Sequence, residues 1–300
     1  MLIVRFQGGL GNQMFQNCFL EYLRRFSDDV VADLSEYNGI SYHNGFELSS
    51  VFESELKTAK WIDIVRSANS FHIPHRTIIG LYADDYLRRM MIKYNTRKGN
   101  KQSHIYEKQF INLSDEEISE LILMKKKLYF DGFWFYKYIY DAADLQKIFK
   151  FRQSVKNKGT EYAKIIDNTN SCSIHIRLGD YVNNKEFGIL NVDYYDKAIQ
   201  HVKNIIHDTV FFVFSDDINA AKRILGTGTD FKYIESPDRN DSGVDMYLMS
   251  CCKNNIIANS SYSFWGAKLN SNENKMVIAP KMLTVEKVFK PAFDEKWIII

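Results

Sequence analysis

At 300 residues and 45% hydrophobic content, the chain is long enough for two domains or one large one, with a substantial core. A formal net charge of +2, with lysines scattered among acids, provides no basic stripe for a nucleic acid. No run of about 18 apolar residues offers a transmembrane helix, and MLIVRF is too short and too soon followed by Gly8 and Gly9 to serve as a signal-peptide core.

A cytoplasmic protein is expected on these grounds, with peripheral contact at the inner face of the membrane left open. The tightest basic run, Lys125 to Lys127, reads as a solvated helix face, a phosphate or membrane-surface contact being its alternative. The four cysteines, Cys18, Cys172, Cys251 and Cys252, have no zinc-site spacing and are expected as free buried thiols.

In chain order, LIVRF (2–6) reads as a buried strand, QGGLGN as a glycine turn, and Gln13 to Phe26 as a helix, together a βα unit. VVADL (30–34) is a second strand. From there to about residue 130 the pattern is irregular and rich in aromatics, apart from one helix announced by the capping box of Ser114 and Glu117. The charged, glycine-containing stretch 152–160 is the best linker, predicting domains at 1–151 and 152–300.

Beyond it the rhythm is regular. SIHIR is a strand, Val192 to Ile206 a helix, TVFFVF a strand, Asp217 to Leu225 a helix and FKYIE a strand. Val244 to Cys252 is then a helix, NIIAN a strand, Tyr262 to Leu269 a helix and KMVIAP a strand. Strands alternating with helices predict a parallel sheet covered on both faces, with ligands received at the carboxyl ends of the strands.

Three polar clusters stand at those ends. The first holds His175, Arg177, Gly179 and Asp180. His175 and Arg177, two apart on a strand, point to the same side. An arginine there is either the ion-pair partner of Asp180 or, through its planar fork, a bidentate grip on phosphate. The second cluster holds Ser215, Asp216 and Asp217, either helix caps or acceptors for a ribose hydroxyl or a guanine N–H edge. The third holds Ser260, Ser261 and Ser263, followed by Phe264 and Trp265; one serine can cap the next helix, whose N-terminus is also an anion site. Together the three clusters fit a nucleoside diphosphate.

The loop FQGGLGNQ satisfies neither the P-loop pattern nor the dinucleotide fingerprint, lacking the lysine of one and having Met14 where the other needs glycine. Its expected use is to bring backbone at Gly9 and Gly11, and the Asn12 and Gln13 amides, close to a ligand.

Several segments carry a resemblance: FQGGLGNQMFQ, FELSSVF (46–52), FDGFWFYKYI (130–139), HIRLGDY (175–181), FSDD (214–217) and MYLMSCCKNNIIANSSYSFWGAKL (246–269). In this order, over nearly the whole chain, the set resembles the α-1,2-fucosyltransferases of glycosyltransferase family 11. The resemblance implies an α/β chain of GT-B fold, two Rossmann-like domains facing across a cleft. Residues 1–151 would form the acceptor side and 152–300 would hold GDP-fucose. The reaction implied is inverting transfer of L-fucose from GDP-β-L-fucose to the 2-hydroxyl of a terminal galactose. The acceptor would be an oligosaccharide or glycolipid, in a setting such as bacterial surface-polysaccharide assembly. Another nucleotide sugar, or silent binding of nucleotide or glycan, are the alternatives.

Carried over by position, Arg177 and Asn12 are the catalytic candidates. The donor-binding set is His175, Arg177, Asp180, Asp216, Ser260, Ser261, Ser263 and Phe264, with Gly9 and Gly11. Many relatives have a second arginine where this chain has Leu178, which by strand alternation faces away from Arg177. Departure of GDP leaves negative charge, and with no Asp-x-Asp triplet in the sequence the expectation is stabilisation by Arg177 and a helix N-terminus, with neither cofactor nor metal. Asp33, His43 and Glu47 are the candidates for a general base in the first half, each also readable as a structural residue.

Overall fold

The short apolar runs assemble into two parallel sheets in the computed structural model, which describes residues 1–37, 44–67, 90, 103–125, 127–179, 190–235, 242–281 and 293–300. The chain divides into two units, one of Met1–Ser49 with Ser54–Ile148, the other of Ser50–Glu53 with Phe149–Ile300.

In the first unit β1 (Leu2–Arg5), β2 (Val30–Asp33), β3 (His104–Tyr106) and β4 (Leu128–Asp131) form an all-parallel sheet in the order β2-β1-β4-β3. Its helices are α1 (Leu10–Leu23), α3 (Trp61–Ser67), α4 (Glu107–Phe110), α5 (Asp115–Met124), α6 (Lys137–Asp141) and α7 (Leu145–Ile148), while the short α2 (Leu48–Val51) spans the division at Ser49/Ser50. α1 begins three residues before the helix read from the sequence. Leu10 is buried and Gly9 takes the extended conformation of an N-cap, so the glycine turn is short and feeds directly into the helix. The capping box at α5 forms as expected, Ser114 Oγ accepting from the Glu117 N–H at 3.2 Å while Glu117 Oε2 accepts from the Ser114 N–H at 2.8 Å.

The first helix of the second unit after Phe149 is α8 (Gln153–Asp167), so the stretch expected as a linker is the opening of a helix. The glycine that suggested a break, Gly159, has another purpose: a Cβ there would stand 3.1 Å from the Tyr247 ring and 3.2 Å from Leu248, so its absence lets α8 pack closely on α11 (Ser242–Cys251). The sheet comprises β5 (Asn170–Ile176), β6 (Thr209–Ser215), β7 (Phe231–Tyr233), β8 (Asn254–Ile256), β9 (Val277–Ala279) and β10 (Ile298–Ile299). Its order is β10-β9-β8-β5-β6-β7, all parallel. α9 (Val192–Ile205), α10 (Ile218–Leu225) and α12 (Ser261–Lys268) complete it. α9 buries Tyr194, Tyr195, Ala198, Ile199 and Val202, a stripe at helical spacing, against Cys172, Ile174, Ile176 and Leu178 from alternate positions of β5 and its exit.

The opposite face of β5 is polar, and its two serines are satisfied. Ser171 Oγ accepts from the Lys253 N–H at 3.0 Å, and Ser173 Oγ from the Asn255 amide at 2.7 Å. Such buried hydroxyls would cost about 1–3 kcal/mol each if left unpaired. Among the described residues no helix is long and apolar enough to cross a membrane, and all four cysteines are free thiols.

Candidate functional site

An open parallel sheet receives ligands outside the carboxyl ends of its strands, where the strand order reverses. In the six-stranded sheet that place lies between β5 and β8, because β6 and β7 extend the sheet one way from β5 while β9 and β10 extend it the other way from β8. His175 and Arg177 end one of these two strands and the serine cluster follows the other, so the topology brings two of the three expected clusters to the same point.

His175 is 3% exposed, on the polar side of β5, with its ring 5.5 Å from the Tyr262 ring. Burial drives its pKa down and the Arg177 charge adds to the effect, to about 3, so the imidazole is neutral at ordinary pH. Its Nδ1 is buried with no hydrogen-bond partner among the described residues, an uncommon condition for a polar atom in a folded core. A neutral ring with one nitrogen uncommitted can give or take a single hydrogen bond.

Arg177 is about a quarter exposed, and its Nη1 lies 3.3 Å from Asp216 Oδ2. The same carboxylate accepts the Leu178 N–H on Oδ1 at 2.9 Å. Gly179 permits this approach, since a Cβ there would stand 2.6 Å from Asp216 Oδ2. Asp216, expected to face a nucleoside, therefore braces the arginine and its turn. Asp180, the partner considered from sequence, lies outside the described residues. Leu178 is 6% exposed in the core with Ile174 and Ile176, facing away from the arginine as alternation requires.

The three serines separate by role. Ser260 caps α12, its Oγ accepting from the Tyr262 N–H at 3.3 Å. Ser261 stays half-buried. Ser263 is fully buried: its Oγ accepts from the Ala258 N–H at 3.1 Å and donates to the Ser260 carbonyl at 3.4 Å. It holds the turn from inside rather than presenting a hydroxyl to a ligand. Phe264 is likewise core, its ring 5.3 Å from Trp265 and 5.2 Å from Trp297. Asp217 takes its structural reading and caps α10, accepting from the Ala220 N–H at 2.9 Å.

The first unit has its own reversal point, between β1 and β4. The glycine loop leaves β1 there, and Gly8 is the position that must be glycine: its φ is +76°, and a Cβ would stand 2.5 Å from Asn12 Nδ2. Gly9 is the N-cap of α1, Gly11 is buried in its first turn, and Asn12 is half-buried beneath Gly8. Gln13, expected beside a ligand, is buried and saturated. Its Nε2 donates to the carbonyls of Gly8 and Gly45 at 3.0 and 2.9 Å, and its Oε1 accepts from the N–H groups of Glu47 and Leu48 at 2.9 and 3.1 Å. It locks the loop in place.

Sequence reading missed the charged group at this end of the sheet. Arg5 Nη1 reaches Asp131 Oδ2 at 3.1 Å and Nη2 reaches Glu36 Oε2 at 2.7 Å, with His104 Nε2 3.4 Å from the same Asp131 oxygen. Burial works against the Arg5 charge, but Asp131 and Glu36 outweigh it and raise its pKa. The signal was too thin to find, because Asp131 ends a four-residue strand in a stretch without clear periodicity. Of the base candidates, Asp33 is 1% exposed and already accepts from Tyr129 Oη at 2.7 Å and the Ser35 N–H at 2.9 Å. Glu47 is 7% exposed beside the Asn44 amide at 3.3 Å, and His43 lies outside the described residues. No cluster of three or more His, Cys, Asp or Glu side chains suited to a metal ion occurs among the described residues.

Two parallel α/β sheets, one ending in a braced arginine, a neutral histidine and a serine-capped helix at its reversal point, place the protein in the class of GT-B glycosyltransferases. The chain belongs to glycosyl transferase family 11, whose family model matches residues 1–300. It is 31% identical over 299 residues to the O-antigen biosynthesis glycosyltransferase WbnK of Escherichia coli, covering 91% of this chain and 92% of the relative. It is 32% identical over 317 residues to an alpha-1,2-colitosyltransferase of Escherichia coli, covering 100% and 99%. In fold it is similar to the fucosyltransferase NodZ from Bradyrhizobium, with a TM-score of 0.50 at 14% identity, covering 88% of this chain and 90% of that one. POFUT1 in its apo-form gives a TM-score of 0.51 at 13% identity, covering 93% and 97%.

Proposed function

We propose that the chain transfers L-fucose from GDP-β-L-fucose to the 2-hydroxyl of a terminal galactose, with inversion at the anomeric carbon and without a metal ion. The observation that carries this reading is the pairing of Arg177 with neutral His175 at the β5/β8 reversal point, beside the N-terminus of α12. In the reaction the acceptor oxygen forms a bond to C1 of the sugar as the bond from C1 to the GDP oxygen breaks. The electron pair leaves with GDP, and the hydroxyl proton passes to solvent or a base. The largest electrostatic demand falls on the departing pyrophosphate, where a guanidinium fork and a helix N-terminus act without reorganising.

In this reading Arg177 grips the pyrophosphate while Asp216 holds the arginine and the Leu178 amide in register. His175 lies beside the donor as a neutral polar ring, and Ser260 and Ser261 frame the phosphate-facing turn. Asn12, under the Gly8 turn of the first unit, is kept as the second catalytic candidate. Asp33, already committed to Tyr129 and the Ser35 amide, is not assigned the base.

A relative named for colitosyl transfer makes GDP-colitose the second donor to test. The deciding experiment offers GDP-fucose and GDP-colitose separately with a panel of galactosides and reads the product linkage by NMR. An α-1,2-fucosyl galactoside is the expected product. Turnover of GDP-colitose alone, or a different linkage, overturns the proposal.

A further inference from the structure

The aromatic run after β4 is unused by the donor chemistry, and the fold invests in holding it still. Trp134 has φ +62°, a left-handed conformation that a bulky residue rarely adopts. Glu107 makes this turn possible: its Oε2 accepts the Phe133 N–H at 2.8 Å and its Oε1 the Trp134 N–H at 3.0 Å. Gly132 leaves the space, since a Cβ there would stand 2.6 Å from the Glu107 Cβ. The Trp134 ring is fully buried and stacked on Phe19 at 3.6 Å and 6°, anchoring the turn from below. Its neighbour is left outside. The Phe133 ring is 37% exposed and stacked on Phe135 at 5.5 Å and 18°, and Phe135 in turn packs edge-on against Phe15 of α1 at 4.7 Å.

The position is as informative as the geometry. This turn leaves the carboxyl end of β4, and β4 and β1 flank the reversal point of the four-stranded sheet. Gln16 ties the two exits together, accepting the Gln7 N–H at 3.0 Å and donating to the Gly132 carbonyl at 3.4 Å. Backbone strain, a partly buried carboxylate and an exposed ring together cost stability, and such costs concentrate where a ligand is held. An aromatic face fixed at a ligand-binding edge offers dispersion and C–H contacts to a flat apolar surface, which the C–H face of a pyranose supplies.

We propose that Phe133, backed by Phe135 and positioned by Glu107, is a stacking subsite for a pyranose ring of the neutral saccharide acceptor. The proposal rests on the glycosyltransferase reading above, because that reaction needs a second saccharide substrate, but it does not depend on which sugar the donor carries. The test uses the full-length protein with GDP bound, lactose as the probe, and saturation-transfer NMR as a readout that requires no turnover. Wild type should transfer saturation to the C–H face of one lactose ring, and Phe133→Leu, which keeps apolar volume but loses the aromatic face, should weaken lactose binding by about tenfold. Phe133→Trp should bind within about threefold of wild type. GDP affinity and the melting temperature should stay unchanged in both variants. Unchanged lactose binding in Phe133→Leu overturns the subsite. So does weakened GDP binding with lactose unaffected, which would make the ring a nucleobase platform, or a fall in melting temperature as the sole effect. Failure of GDP-fucose as a donor would refute the proposed reaction and leave the lactose result standing.

Discussion

Arg177→Lys separates an arginine that serves a ligand from one that serves the fold. The Arg177–Asp216 pair has side chains 24% and 26% exposed, with nitrogen and oxygen 3.3 Å apart. Solvent screening keeps such a pair to below about 1 kcal/mol of stability, and a lysine retains part of it. For a domain of about 150 residues that corresponds to a melting-temperature shift of less than about 4 °C. The catalytic cost should be larger. Lysine keeps the charge but loses the planar fork, so bidentate hold on the leaving pyrophosphate is lost and turnover should fall on the order of 100-fold, roughly 2.7 kcal/mol. Both quantities are measured on one preparation, GDP release with a galactoside acceptor giving turnover and calorimetry giving the melting temperature. Near-normal turnover would refute the assignment. So would a collapse in melting temperature with turnover per folded molecule intact, because breaking a structural buried pair costs about 3–5 kcal/mol.

Activity should survive exhaustive chelation with EDTA, since Arg177 and the α12 N-terminus are assigned the phosphate charge; loss of turnover that manganese or magnesium restores would show a metal in that role. Leu178→Arg should destabilise the protein by more than about 2 kcal/mol in urea unfolding, because Leu178 is 6% exposed among Ile174 and Ile176 and a guanidinium there lacks a place. A stable Leu178→Arg protein with greatly raised turnover would instead identify a missing catalytic arginine. The His175 pKa falls from 6.5 unfolded to about 3 folded, so its contribution to stability is complete above about pH 6.5 and is lost as the pH drops toward 3. Unfolding from pH 7 to pH 3 should show that loss in wild type and less of it in His175→Asn. A kinetic pKa near 6.5 that vanishes in His175→Asn would contradict the neutral imidazole.

What the sequence determined by itself was local. The alternation in SCSIHIRL sorts Cys172, Ile174, Ile176 and Leu178 to the α9 side and Ser171, Ser173, His175 and Arg177 to the other, because successive strand side chains point to opposite faces. The Ser114–Glu117 box and the stripe of α9 were legible for the same reason, each being a contact among residues three or four apart. β3 and β4 were not legible, since the irregular aromatic stretch around them lacks the strand–helix rhythm that framed the equally short β1, β7 and β8.

Tertiary structure decided which residues became partners. Strand order placed the β5 and β8 exits side by side, and no spacing along the chain encodes a reversal of order. It set Asp216 against an amide 38 positions away, assigning it to the arginine, and it set the Glu107 carboxylate on amides 26 and 27 positions away, which turned an aromatic run into a rigid, exposed ring. It also filled every hydrogen-bonding position of Gln13 and enclosed Ser263, two side chains that chain position alone had offered to a ligand. The physical reason is common to all four. A polar side chain's role depends on which donors and acceptors reach it first, and those come from strands and loops that only folding makes neighbours.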